Sequence, residues 1–231
     1  VQARGTKAKA RKDHFEELKA KAMRPNATRR DIYLYNVYYL GNFDTMAGGV
    51  FTNIEHCTFA EFQNVPATEV NAIDFGFATD GDPTTMVGVK VWSDKIYVHE
   101  YIYEKGLTSD KDLALRLRAC GINERTLLLG DYGGMGRGRM QKLRTGGNGE
   151  WSGDIARGFN ICNAIKTKVE EGVSRMLTRD AIVITEDSAS TLNEFENYEF
   201  TENNKPKGDD HAIDAVRYAY TYIDRMALAT A

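Results

Sequence analysis

The chain has 231 residues, 42% hydrophobic and 27% charged, with a net charge of −3, which suits a folded domain and excludes a disordered one. No run of eighteen apolar residues is present and no apolar leader opens the chain, so neither a membrane span nor secretion is expected. The cysteines, Cys57, Cys120 and Cys162, are odd in number and form no Cys-x-x-Cys, so buried thiols of a cytosolic chain are expected rather than disulfides or a zinc site.

Residues 1–30 hold ten Lys/Arg against three acids, a balance of +7 that leaves −10 for residues 31–231. A basic arm ahead of an acidic body suits contact with a polyanion or another domain, and equally a solvated linker. Residues 6–24 read as a weak helix ended by Pro25 and Asn26. The aromatic run at 32–40 must pack against something, and 41–70, with Gly41, Gly48, Gly49 and Pro66, reads as irregular linking structure.

From residue 70 the pattern changes. VNAIDFGFA, PTTMVGVKVWSD and KIYVHEYIYEKG read as three strands, the last two joined by a short hairpin at Ser93-Asp94. Residues 108–119 read as a helix capped by Thr108 or Ser109 and ended by Gly121. TLLLGDYGG is a wholly apolar strand, as a buried parallel strand should be, running into Asp131. Residues 133–149, with seven glycines, read as a loop, and 154–172 as an amphipathic helix ended by Gly172. AIVIT at 181–185 is a buried strand, SASTLNEFENYEF a helix with an extended end, and 211–228 a last helix. This order predicts an α/β domain whose mixed sheet has three antiparallel strands, then parallel ones, with helices on both faces.

Three acids lie at the ends of apolar elements: Asp74 after the first of these strands, Asp131 after the fourth, and Asp214 one turn into the last helix. Strand ends form the crevice of an open sheet, and the first and fourth strands should lie side by side. Buried carboxylates that close repel one another, and a hard divalent cation such as Mg²⁺ or Mn²⁺ relieves the repulsion. Two such ions suit phosphodiester hydrolysis. On the last helix His211 and Asp214 are spaced i, i+3 and Asp210 and Asp214 i, i+4, so all three share a face. Asp209 and Asp210 also suit the positive end of the helix dipole, where either can serve as a cap; both are reserve ligands, with Asp82 behind them. Taken alone, an acid at a strand end is more often a turn or cap residue than a ligand.

Three segments, AIDFGFATDGDPTT, LLLGDYGG and above all DDHAIDAVRYAY, together with SASTLNEFENYEF and its Glu194, resemble the C-terminal nuclease domain of phage terminase large subunits. The resemblance runs from about residue 70 to 225, and 33–54 resembles the bridge from an ATPase domain, so 1–69 is expected to be arm and linker and 70–231 an RNase H-like nuclease domain. It implies that Asp74, Asp131 and Asp214 ligate the metal, with His211 a helper beside the site. It further implies cleavage of double-stranded DNA during genome packaging, with an ATPase domain or motor subunit, a portal and a small subunit as partners, in the cytoplasm of an infected or lysogenic bacterial host. No G-x-x-x-x-G-K-[ST] occurs, so no ATP site is expected in this chain. DNA should be held by Arg137, Arg139, Lys142 and Arg144 in the glycine-rich segment after Asp131. The competing readings are another RNase H-like nuclease, such as a resolvase or integrase, and a catalytically inactive docking module of the packaging motor.

Overall fold

The computed structural model of the chain describes residues 15–24, 35, 49–77, 81–200 and 206–230. Most of the basic arm, the aromatic run at 32–40 apart from Tyr35, and the polar loop at 201–205 lie outside the described residues. Among described residues no helix is long and apolar enough to cross a membrane. They fall into two compact units, one from Val1–Asn53 and Phe195–Gly208, the other from Ile54–Glu194 and Asp209–Ala231. In the first unit, Phe51 packs on Phe195 and Tyr198 at ring distances of 4.6 and 5.8 Å, and the backbone N–H of Val50 donates to the Tyr198 carbonyl.

The second unit is built on a seven-stranded sheet. Its strands are β1 (Ile54–Cys57), β2 (Val70–Asp74), β3 (Thr84–Trp92), β4 (Lys95–Glu104), β5 (Leu128–Gly130), β6 (Ile161–Asn163) and β7 (Ala181–Thr185), in the order β1-β7-β4-β3-β2-β5-β6. β2, β3 and β4 are antiparallel; β5 runs parallel to β2 and β6, and β7 parallel to β4 and β1. The expected mixed sheet is therefore present, with β2 and β5 side by side.

Alternation along β2 sets the two faces. Ile73 faces a core in which Met86, Ile102 and Leu128 meet α2 (Asp110–Ala119) through Leu113 and Leu117, and α3 (Gly136–Thr145) through Met140 and Leu143. Ala72 and Asp74 face the other way, toward the closing helix α6 (His211–Thr230), which packs on β2 and β3 with Ile213, Val216 and Tyr220 buried.

Three local expectations are corrected. The stretch read as irregular at 41–70 contains β1 and the helix α1 (Phe59–Asn64), started by a reciprocal capping box between Thr58 and Glu61. The glycine-rich stretch after Asp131 contains α3. Glycine lowers helix propensity, but burial of Met140 and Leu143 offsets it, and Gly136 is required because a Cβ there would lie 2.1 Å from the Asp131 carbonyl oxygen. The helix expected at 154–172 is instead a short 3₁₀ turn, Gly153–Ile155, then β6, then α4 (Val169–Met176). Gly172 does not stop a helix. It lies inside α4, where a Cβ would come within 2.3 Å of Arg217 Cδ, so it lets α4 approach α6. α5 (Ala189–Asn197) follows β7 as expected.

Candidate metal and nuclease site

Asp74 ends β2 on the face that α6 covers. Its carboxylate meets His211, with Nδ1 3.4 Å from Oδ2, and the other ring nitrogen of His211 lies 3.6 Å from Asp82. Residue 76 can lie against the Asp82 carbonyl oxygen because it is glycine: a Cβ there would sit 2.0 Å from that oxygen. Burial pushes the Asp74 carboxyl above the usual carboxylate range; the charges of Asp214 and Asp131 add to this, and His211 opposes it. His211 in turn is pushed up to about 9, chiefly by its hydrogen bond to Asp74, so it stands as an imidazolium at neutral pH.

Asp131 follows β5. One of its oxygens accepts from the Gly133 backbone N–H at 2.6 Å, and Lys166 reaches both oxygens, at 2.7 and 2.8 Å. Asp214 accepts from Arg217 at 2.8 Å and from the Tyr218 hydroxyl at 3.3 Å. Asp210, one turn earlier on the chain, is also pushed up, by burial first and then by Asp214, with a smaller contribution from Asp74. Asp209 is exposed.

The Tyr218 phenol reports on all three acids together. Its pKa is raised far above the usual range, first by burial and then by the charges of Asp214, Asp74 and Asp131. Three elements therefore bring three hard oxygen donors into one electrostatic neighbourhood. As the side chains stand, no three His, Cys, Asp or Glu among the described residues are drawn close enough to enclose an ion. Each carboxylate is held by a cationic donor instead: Asp74 by His211, Asp131 by Lys166 and Asp214 by Arg217. Oxygen donors from separate elements, with charges that repel one another and no sulfur among them, fit Mg²⁺ or Mn²⁺.

Glu194 in α5 fixes where α6 begins. Only 2% exposed, it accepts from the N–H groups of Ala212 and Ile213 at 2.7 and 3.2 Å and from the Tyr103 hydroxyl at 2.9 Å. These are orphan donors of the first turn of α6, the turn that carries His211 and Asp214. In the sequence Glu194 stood out only through the resemblance. Lys166 was not singled out, because its segment was read as helix interior rather than as the exit of β6.

The four basic residues after Asp131 have different roles. Arg139 is 5% exposed and donates to Asp110, to the Gly76 carbonyl and to the Thr108 carbonyl; as placed it cannot meet a phosphate. Arg144 ties α3 to β6 through the Ile161 carbonyl and Asn163. Lys142 is exposed and paired with Asp110, and Arg137 is exposed over the Tyr132 ring.

Solved structures similar to this chain include nuclease parts of large terminases. The g2p large-terminase nuclease domain of bacteriophage SPP1, solved with bound Mn, is 26% identical, with a TM-score of 0.57, covering 76% of this chain and 99% of that one. The P22 large-terminase nuclease domain is 18% identical, with a TM-score of 0.53, covering 75% and 91%. The large terminase of a thermophilic bacteriophage, solved in complex with ATP-gamma-S, is 18% identical, with a TM-score of 0.57, covering 90% of this chain and 51% of that one. No curated protein matches the sequence. The sequence model of the family described as "Terminase RNaseH-like domain" matches residues 71–222, and with the fold and the strand-end acids now in view, the chain belongs to that family.

Proposed function

We propose that this chain is the nuclease part of a phage DNA-packaging terminase large subunit. It hydrolyses phosphodiesters of double-stranded DNA using Mg²⁺ or Mn²⁺, two ions, held by Asp74, Asp131 and Asp214 with Asp210 in reserve. The observation that carries this reading is that β2 and β5 run parallel and side by side into Asp74 and Asp131, with α6, which carries Asp214, packed on β2. The Mn bound to the SPP1 domain supports the metal class. Bound divalent ions would activate water and neutralise charge at the scissile phosphate. The chain's own residues prepare that site: His211 orients Asp74, Arg217 and Tyr218 orient Asp214, and Glu194 sets the register of α6. Residues 1–53 would be arm and linker toward an ATPase domain or motor subunit, and the nuclease unit would begin at β1, which joins the sheet, rather than at residue 70. The portal, the small subunit and the cytoplasm of an infected or lysogenic bacterium complete the setting. Incubation of supercoiled plasmid with the purified chain should give nicked and linear products with Mg²⁺ or Mn²⁺ and none with EDTA. Equal cutting in EDTA would overturn the metal assignment, and no cutting with either ion would favour an inactive docking module.

DNA contact is assigned to Arg137 and Lys142 of the basic set, because both are exposed on α3, the helix that follows Asp131. Changing both to alanine should weaken DNA binding and flatten its salt dependence by roughly one unit per lost phosphate contact. Arg139→Ala instead should cost about 2–4 kcal/mol of stability, because it strips a buried charged donor from Asp110 and two carbonyls. Binding curves over a salt series, with thermal melts alongside, separate the two effects. An unchanged slope in the double variant would assign α3 to structure alone.

A further inference from the structure

Lys166 differs from the other cations at the site. Arg217 is nearly buried and also donates to the Thr167 carbonyl, and His211 is wedged between Asp74 and Asp82. Lys166 instead has a half-exposed side chain whose ammonium bridges both oxygens of Asp131. Its backbone is held on both sides. Ala164 N–H donates to the Gly130 carbonyl, extending the β5–β6 pairing, and Arg217 grips the Thr167 carbonyl. Gly133 leaves room for the ammonium: a Cβ there would lie 3.1 Å from both Asp131 Oδ1 and Lys166 Nζ. With the Gly133 N–H on Oδ1 and the ammonium bridging both oxygens, the bidentate face of Asp131 is taken, and a cation arriving on a remaining lone pair meets the Lys166 charge. A lysine on a flexible four-carbon stem can move where a buried arginine fork cannot.

We propose that Lys166 is a resident counter-cation of Asp131 that competes with the divalent ion and so sets the metal concentration at which the site loads. This rests on the reading of Asp131 as a metal ligand.

The test is Mn²⁺ affinity of the full chain, read from the EPR signal of free Mn²⁺ in a titration without DNA. Lys166→Met should bind Mn²⁺ about 3- to 10-fold more tightly than the parent, the effect of removing one partly exposed ion pair together with the repulsion between two cations. Lys166→Arg, which keeps the cation, should stay within about twofold of the parent, and Asp131→Asn should weaken binding by about tenfold or more. Lys166→Gln serves as a second neutral variant, and thermal melts confirm that each is folded. If both neutral variants bind no more tightly than the parent while Asp131→Asn binds weakly, the competition is overturned and Asp131 stands as a ligand. If Asp131→Asn leaves the affinity unchanged, the ligand assignment itself fails, and the proposal with it.

Discussion

Asp74→Asn is expected to leave a folded protein whose plasmid cleavage is at least roughly a thousandfold slower, the cost of several kcal/mol of transition-state stabilisation. The change removes a charged oxygen donor and almost no volume. Asp74 is the last residue of β2, and its backbone register opposite Thr85 does not depend on the side chain. Its carboxyl is already pushed up by burial and by Asp214 and Asp131, so a neutral amide relieves repulsion while it loses the charge, though not an acceptor oxygen, opposite His211. The melting temperature should therefore stay within a few degrees of the parent while the rate of nicking with Mn²⁺ collapses. Parent-level cutting by a nuclease-free preparation of the variant would contradict the assignment of Asp74.

Glu194→Ala is expected to lower stability by about 3 kcal/mol, since it leaves two N–H groups of the first turn of α6 and the Tyr103 hydroxyl without their acceptor in a buried setting. For a chain of this size that corresponds to a fall of about 6–12 °C in melting temperature. Glu194→Gln keeps an acceptor oxygen for the helix start and should lose less than half as much. Burial pushes the Glu194 carboxyl up, so the charge itself is partly unfavourable and the hydrogen-bond geometry contributes most of the effect. Scanning calorimetry of the two variants checks this. An alanine variant that melts with the parent would mean that α6 finds its start without Glu194.

The parts of the fold that were legible in the sequence are those where a single physical signal dominates. β2 to β4 carry long runs of β-formers and a hairpin, β5 is apolar throughout and β7 apolar up to Thr185, and α6 shows a clean helical stripe. Where tertiary contacts outvote local preference, the sequence misleads. α3 forms despite its glycines because Arg139, Met140 and Leu143 are buried, and β6 is only three residues long and gains its identity by pairing with β5. β1 and α1 were missed although the Thr58–Glu61 capping box was present as a signal. At the site, the strand-end acids stood out because each follows an apolar element. Lys166 did not, because it lies 35 residues from Asp131, and Arg139 misleads because its partners Asp110 and Gly76 lie 29 and 63 residues away. A basic residue in a glycine-rich stretch reads alike whether it faces DNA or a carbonyl in the interior.

The most direct test of the central claim is to locate Mn²⁺ by its anomalous scattering in crystals of the chain grown at saturating Mn²⁺. The account predicts a peak bonded to an Asp74 carboxylate oxygen and shared with Asp131 or Asp214, with Lys166 withdrawn from Asp131. Crystals with no ion at these three carboxylates, or with Mn²⁺ held wholly by other residues, would contradict it.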